Sequence, residues 1–173
     1  MTLPEMRADC GQCAALCCVG PAFDRSSRFA LSKPNGTPCP NLGPDDACTI
    51  HAHLAARGFG GCVQFDCLGA GQHVVQNLFD GQSWRDDPAL APRIFETFRV
   101  MRQIFEALHL LQLAADLPLS ASQRQDLKQL QDRLWPDPAW SEPQVNAYEK
   151  SDLPKAVTAF LRSLRDSVQR PAD

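Results

Sequence analysis

Apolar residues recur through DPALAPRIFETFRVMRQIFEALHLLQLAADL at Ile94, Phe98, Met101, Phe105 and Leu108, in steps of four, three, four and three. That is the period of an amphipathic helix. A second stripe, Phe95, Ile104, Leu108 and Leu111, widens the apolar face, so this helix is expected to be buried on more than one side. Asp86 or Asp87 is placed to cap it, with Pro88 in its first turn. SASQRQDLKQLQDRLW predicts a second helix, with Ser120 and Gln123 as a capping box and a narrow face of Leu127, Leu130 and Leu134 before Pro136 ends it. WPDPAWSEPQVNAYEK reads as a proline-bearing connection. SDLPKAVTAFLRSLRDSVQ then repeats helical spacing at Leu153, Val157, Phe160, Leu161, Leu164 and Val168, with Ser151 as N-cap and Pro154 in the first turn.

Ahead of these helices the pattern is different. VGPAF, KPNGTPCP, LGPDDAC and RGFGGC are turn-forming, and no long apolar period runs through them. All eight cysteines lie in this part, between Cys10 and Cys67, and His51, His53 and His73 lie in or beside it. The predicted class is therefore mainly α: an irregular cysteine-rich metal-binding module over 8–75, followed by a small helical bundle over 86–170, the two packed as one unit. The apolar face over 94–111 is expected to bury another helix of this chain or the same helix of a second subunit. No fixed-period repeat or low-complexity tract is visible.

Composition narrows the function classes. At 173 residues and 44% hydrophobic content the chain is long enough for a packed core. A net charge of -3 gives no electrostatic footprint for nucleic acid, and no basic cluster favours anionic membranes. The start, MTLPEMRADCGQCAALCCVG, lacks the basic and apolar regions of a signal peptide, and HLLQLAADL is too short to span a bilayer. A cytoplasmic protein is expected. There, eight cysteines point to metal ligation or redox chemistry rather than structural disulfides.

The spacing sharpens this. Cys10 and Cys13 form a Cys-x2-Cys pair, able to reach one ion from a single turn; Cys17 and Cys18 follow as a doublet, then Cys39, Cys48, Cys62 and Cys67. Thiolates select soft ions: zinc, or iron including an iron–sulfur cluster. Eight ligands match two zinc ions, or one zinc and one cubane cluster. Adjacent Cys17 and Cys18 suit two neighbouring centres, or one ligand beside one buried thiol. His51, three residues after Cys48, is a further candidate ligand whose alternative is a surface position. Glycines around Cys62 and Cys67 (Gly58, Gly60, Gly61, Gly69, Gly71) are expected to let the backbone turn tightly and to aim amides at sulfur. CLGAGQ lacks the third glycine of a dinucleotide loop. No catalytic residue set stands out.

The stretch ADCGQCAALCCVGPAF…GTPCPNL…DDACTIHAHLAARGFGGCVQFDCLGAGQ resembles the cysteine-rich N-terminal region of some actinobacterial pentapeptide-repeat proteins. SWRDDPALAPRIFETFRVMRQIFEAL is similar to the segment that adjoins this region in those proteins. More loosely, the cysteine pattern resembles the wider zinc- or iron-chelating cysteine-cluster proteins, the YkgJ-like family, to which a flagellin lysine methylase with an iron–sulfur centre is related. The resemblance implies a metal-chelating module with Cys10, Cys13, Cys17, Cys18, Cys39, Cys48, Cys62 and Cys67 as ligands. It transfers no activity, and no every-fifth-residue Leu or Phe pattern occurs in these 173 residues. The leading expectation is a cytoplasmic metal-binding protein with a structural, storage or sensing role, more a binding protein than an enzyme. The alternatives are an iron–sulfur redox or accessory protein and a thiol-disulfide oxidoreductase. The metal ion is the expected partner, with a protein partner or homo-oligomer through the helices as a further one.

Overall fold

The computed structural model describes residues 3–167. Among these, seven α-helices form: α1 Leu16–Val19, α2 Gly60–Gln64, α3 Ala70–His73, α4 Ala91–Ala115, α5 Ala121–Leu134, α6 Glu142–Ala147 and α7 Leu153–Ser163. Extended pairing among the described residues is limited to two isolated bridges, Phe23 with Lys33 and Leu42 with Cys48. The class is mainly α, with an irregular cysteine-rich segment ahead of a helical bundle.

The long helix α4 organises the molecule. Its stripe of Ile94, Phe98, Met101, Phe105 and Leu108 is buried, as are Ile104 and Leu111 on the second stripe, while Phe95 is half-buried. Helices α3, α5, α6 and α7 pack around it. The wide apolar face is thus covered by this chain's own helices, leaving Leu110 and Leu113 exposed. The helix starts later than its sequence signals suggest. Leu90 is the N-cap and Pro92 lies in the first turn. Asp86 and Asp87 are used earlier, accepting from the Ser83 and Ala89 amides at 2.9 Å each, which folds residues 83–90 into turns before the helix begins.

Helix α5 carries its capping box and buries Leu127, Leu130 and Leu134. The expected connection before α7 contains α6. Ser141 and Gln144 make a second capping box there, Pro143 lies in the first turn, and Val145 is buried. The same signature was available in the sequence, but six residues are too few to display a stripe. For α7 the N-cap position falls on Asp152, while Ser151 Oγ accepts from the Leu153 amide at 3.2 Å. Leu153, Val157, Phe160 and Leu164 are buried. Val168, and the predicted bundle's last positions to 170, lie outside the described residues.

The two parts of the chain share one core: Leu16, Ala70 and Val74 belong to the same buried cluster as the bundle residues. Phe98 is the wedge. A Cβ placed on Gly20 or on Gly71 would lie 3.6 or 3.7 Å from its ring. His73, at the end of α3, lies against Phe105 and Trp135, with ring centroids 5.7 and 4.9 Å away.

Candidate functional site: a gathering of eight thiols

The first cysteine segment is a tight 3₁₀ turn, Cys10–Gln12. Asp9 fixes it, accepting from the Gly11 amide at 3.0 Å and from Gln12 Nε2 at 2.9 Å. Cys13 follows, and then the chain does something costly. Ala14 and Ala15 both take left-handed backbone, at φ 47° and 53°. A non-glycine residue there gives up about 1–2 kcal/mol. The Leu16 amide closes the turn on Cys13 O at 3.2 Å. The Trp84 indole N–H holds Ala14 O at 2.8 Å, and Ala15 is buried, which offsets the strain.

Cys67 is followed by the same turn. Leu68 and Gly69 sit at φ 53° and 91°, and the Ala70 amide donates to Cys67 O at 2.9 Å. Asp66 Oδ1 accepts from the Leu68 amide at 2.7 Å. Each turn runs directly into a helix, α1 after Cys13 and α3 after Cys67. The two copies meet: a Cβ on Gly71 would fall 2.9 Å from Cys13 Cβ, so only glycine permits this approach. Gln72 and Gln76 of the α3 segment complete the contact. Gln72 Oε1 accepts from the Asp9 amide at 2.7 Å, and Gln76 Nε2 donates to Gln12 O at 3.0 Å.

On α1, Cys17 and Cys18 place their sulfurs 4.0 Å apart. The loop bearing Cys39 docks here, its Cys39 amide donating to Cys18 O at 3.0 Å. Cys48 is tied to the same loop through its bridge with Leu42, whose amide donates to Cys39 O at 2.9 Å. Arg85 anchors this loop with Nε to Asp46 at 2.6 Å and Nη2 to Gly43 O at 3.0 Å. Cys62, on α2, is held near by the Gly61 amide on Arg28 O and by Arg28 Nη1 on Gln64, both at 3.0 Å. Lys33 is buried at this junction, 3% exposed, and its Nζ donates to Val19 O, Thr37 O and Pro34 O at 2.8, 2.9 and 3.1 Å.

All eight cysteines are free thiols. Cys10 is exposed, Cys13 buried, and the others half-buried. Burial pushes the Cys13 thiol up to about 11, against the Ala15 and Leu16 amides, which favour its thiolate. Burial, then the charges of Cys18, Cys39 and Cys48, push Cys62 up to about 11. Cys10 is raised by burial, then by Cys67 and Asp9, and Cys48 by burial against the Ile50 amide. The doublet splits. Cys18 is lowered to about 7, by its contact with the Cys17 thiol and by the Lys33 ammonium, while Cys17 is raised by the same contact and by burial. Buried thiols that repel one another as thiolates are groups a soft cation would deprotonate together.

The chain is 38% identical over 124 residues to a protein of Bacillus subtilis (strain 168) named uncharacterized protein YybG, a match covering 72% of this chain and 44% of that protein. The chain therefore spans less than half the length of that relative. No protein-family model matches the chain, and no solved structure matches it.

Cys10 and Cys13 feel the charge of Cys67, Cys48 and Cys62 feel Cys18 and Cys39, and the Cys17–Cys18 doublet joins the two sets, since Cys10 feels Cys18 as well. Among the described residues, no three His, Cys, Asp or Glu side chains converge as a closed cation cage. His51 and His53 lie exposed on a 3₁₀ turn, and the His51 amide donates to Cys48 O at 3.1 Å. His73 is taken up by aromatic packing. The glycines act through shape: Gly69 supplies the left-handed residue and Gly71 the close approach, while the amides that favour thiolate at Cys13 and Cys48 belong to Ala15, Leu16 and Ile50. Sequence reasoning missed Lys33 and Trp84. A lysine in SKPNG reads as a solvated loop residue, and nothing local marks Trp84 as the clamp of a turn seventy residues earlier. No helix among the described residues is long and apolar enough to cross a membrane.

Proposed function

We propose that this chain is a cytoplasmic metal-binding protein whose cysteine cluster chelates zinc or iron, in a structural, storage or sensing role. The observation that carries the reading is the twin turn. Two left-handed pairs, one of them built without glycine, are maintained to bring Cys13 and Cys67 together on facing segments. Strain of this kind is kept where a site requires it. The donor set fits a soft ion: eight free thiols, with nearby backbone amides that favour thiolate at Cys13 and Cys48. Cys10, Cys13, Cys17, Cys18, Cys39, Cys48, Cys62 and Cys67 would hold the metal. Bound, it would neutralise the mutual repulsion of the thiolates and staple three loop segments that have little apolar core of their own. The cytoplasm is the compartment in which so many free thiols persist. The resemblance to cysteine-cluster proteins points the same way.

Anaerobic purification with zinc, iron and acid-labile sulfide analysis tests this. Stoichiometric zinc or iron supports it, and sulfide with iron selects the iron–sulfur form. A metal-free chain with no affinity for added zinc or ferrous iron overturns it. A thiol-disulfide role is the second reading, and the Cys17–Cys18 contact is the observation that favours it, with Cys18 close to ionisation at neutral pH. The Cys10–Cys13 pair is poorly suited to that chemistry, since both thiols are pushed up.

A further inference from the structure

We infer that the eight cysteines serve two adjoining four-thiol centres, Cys10, Cys13, Cys17 and Cys67 in one and Cys18, Cys39, Cys48 and Cys62 in the other, with buried Lys33 as the fixed counter-charge of the second. The inference rests on the metal-binding reading above and gives it a stoichiometry and a charge pattern.

The backbone makes the division. In the first group Cys13 and Cys67 occupy equivalent corners of the repeated turn, and Gly71 lets α3 close directly on Cys13. The Cys13 thiol also donates to Cys10 O at 3.4 Å, which holds the Cys-x2-Cys pair in one turn. Cys17 lies within the fields of Cys18, Cys13 and Cys10, and Cys10 in turn feels Cys18, so the two groups touch through the doublet. In the second group the Cys39 amide is bonded to Cys18 O, Leu42 links Cys39 to Cys48, and Cys62 lies in the combined field of Cys18, Cys39 and Cys48. The groups abut where the Cys17 and Cys18 sulfurs lie 4.0 Å apart. Successive residues on a helix point about 100° apart, so a doublet on α1 addresses two centres more readily than one.

Lys33 is the independent observation. A buried ammonium is costly unless an anion compensates it. All three acceptors on Nζ are neutral carbonyls, and among the described residues no carboxylate pairs with Lys33. Its acceptors Val19 O and Thr37 O belong to residues one and two positions from Cys18 and Cys39, whose thiolates would be the nearest compensating anions. Four thiolates around a divalent ion carry a net charge of roughly -2, and a fixed ammonium offsets part of it. The charges that act on Cys10 in the first group are those of Cys67, Asp9, Cys18 and Asp66, all anionic. The second centre is therefore the tighter one.

The test is zinc titration of the full chain, purified without oxygen, with zinc per chain measured at saturation. Wild type should bind two ions. Cys67→Ser and Cys39→Ser should each bind one, and the double variant none. In the Cys67→Ser background, Lys33→Met should weaken the remaining ion by about 10–100-fold, as loss of a group that supports metal ligands does. Lys33→Arg should restore most of that affinity. Should Lys33→Met fail to fold by circular dichroism, Lys33→Gln is read in its place, and the cysteine variants decide the partition alone. A wild-type chain that saturates at one ion, or a single cysteine variant that binds none, overturns the two-centre assignment while leaving the metal-binding reading intact; one ion in each variant supports it. Unchanged affinity in a folded Lys33→Met chain overturns the counter-charge. A wild-type chain that binds no zinc, iron or other thiophilic ion overturns the metal-binding reading itself.

Discussion

A few residues hold conformations that the rest of the chain must sustain. Gly71→Ala would drive a methyl to within 2.9 Å of Cys13 Cβ, so something must shift. The expected result is reduced metal loading with near-normal helical circular dichroism. Ala14→Gly works in the opposite direction. It relieves a left-handed alanine, and denaturant unfolding should show a gain of up to about 1 kcal/mol. Unchanged or lowered stability there would mean that the methyl packs better than the strain costs. The cysteine positions themselves were legible from spacing and compartment. The turns that hold them were not, because left-handed backbone at Ala14, Ala15 and Leu68 falls on residue types that seldom announce it.

At the level of elements, periodicity revealed the long helices and concealed the short ones. The stripes of α4, α5 and α7 were readable because three or more turns repeat the same apolar spacing, whereas α6 and the one-turn helices α1, α2 and α3 are fixed by caps and tertiary contacts. Ser120→Ala removes the capping box of α5 and should lower stability by about 1 kcal/mol without altering metal content, as read by thermal melting beside metal analysis. The join of α3 to the bundle should respond to pH. Burial between Phe105 and Trp135 lowers the His73 pKa below its ordinary 6.5, partly countered by a hydrogen bond with Asn77. The fold therefore favours neutral His73: its contribution is complete above pH 6.5 and declines as pH falls from 6.5 towards the lower folded value. Urea midpoints measured between about pH 8 and pH 5 should show this decline, and His73→Phe should flatten that part of the profile.

Across the whole molecule, the cysteine-rich segment and the bundle meet on Phe98. Phe98→Ala should cost about 3–5 kcal/mol and weaken metal binding together with the bundle. Matched loss of zinc affinity and of helical signal in one thermal transition is the expected observation; loss of only one would show that the wedge serves a single half. The shared core was foreshadowed by the wide apolar face of α4, but its closure on α1 and α3 depends on Gly20 and Gly71 lying against one ring, which no pattern in either segment announces.

The three tryptophans give the molecule its own optical readout. Trp84 donates to the carbonyl inside the Cys13 turn, Trp135 lies 4.9 Å from the His73 ring, and Trp140 donates to Leu134 O at the end of α5. Their emission samples the thiol turn, the α3 join and the bundle separately. Single-tryptophan versions would let fluorescence tell which of the three places responds first to a chelator, an acid shift or heat.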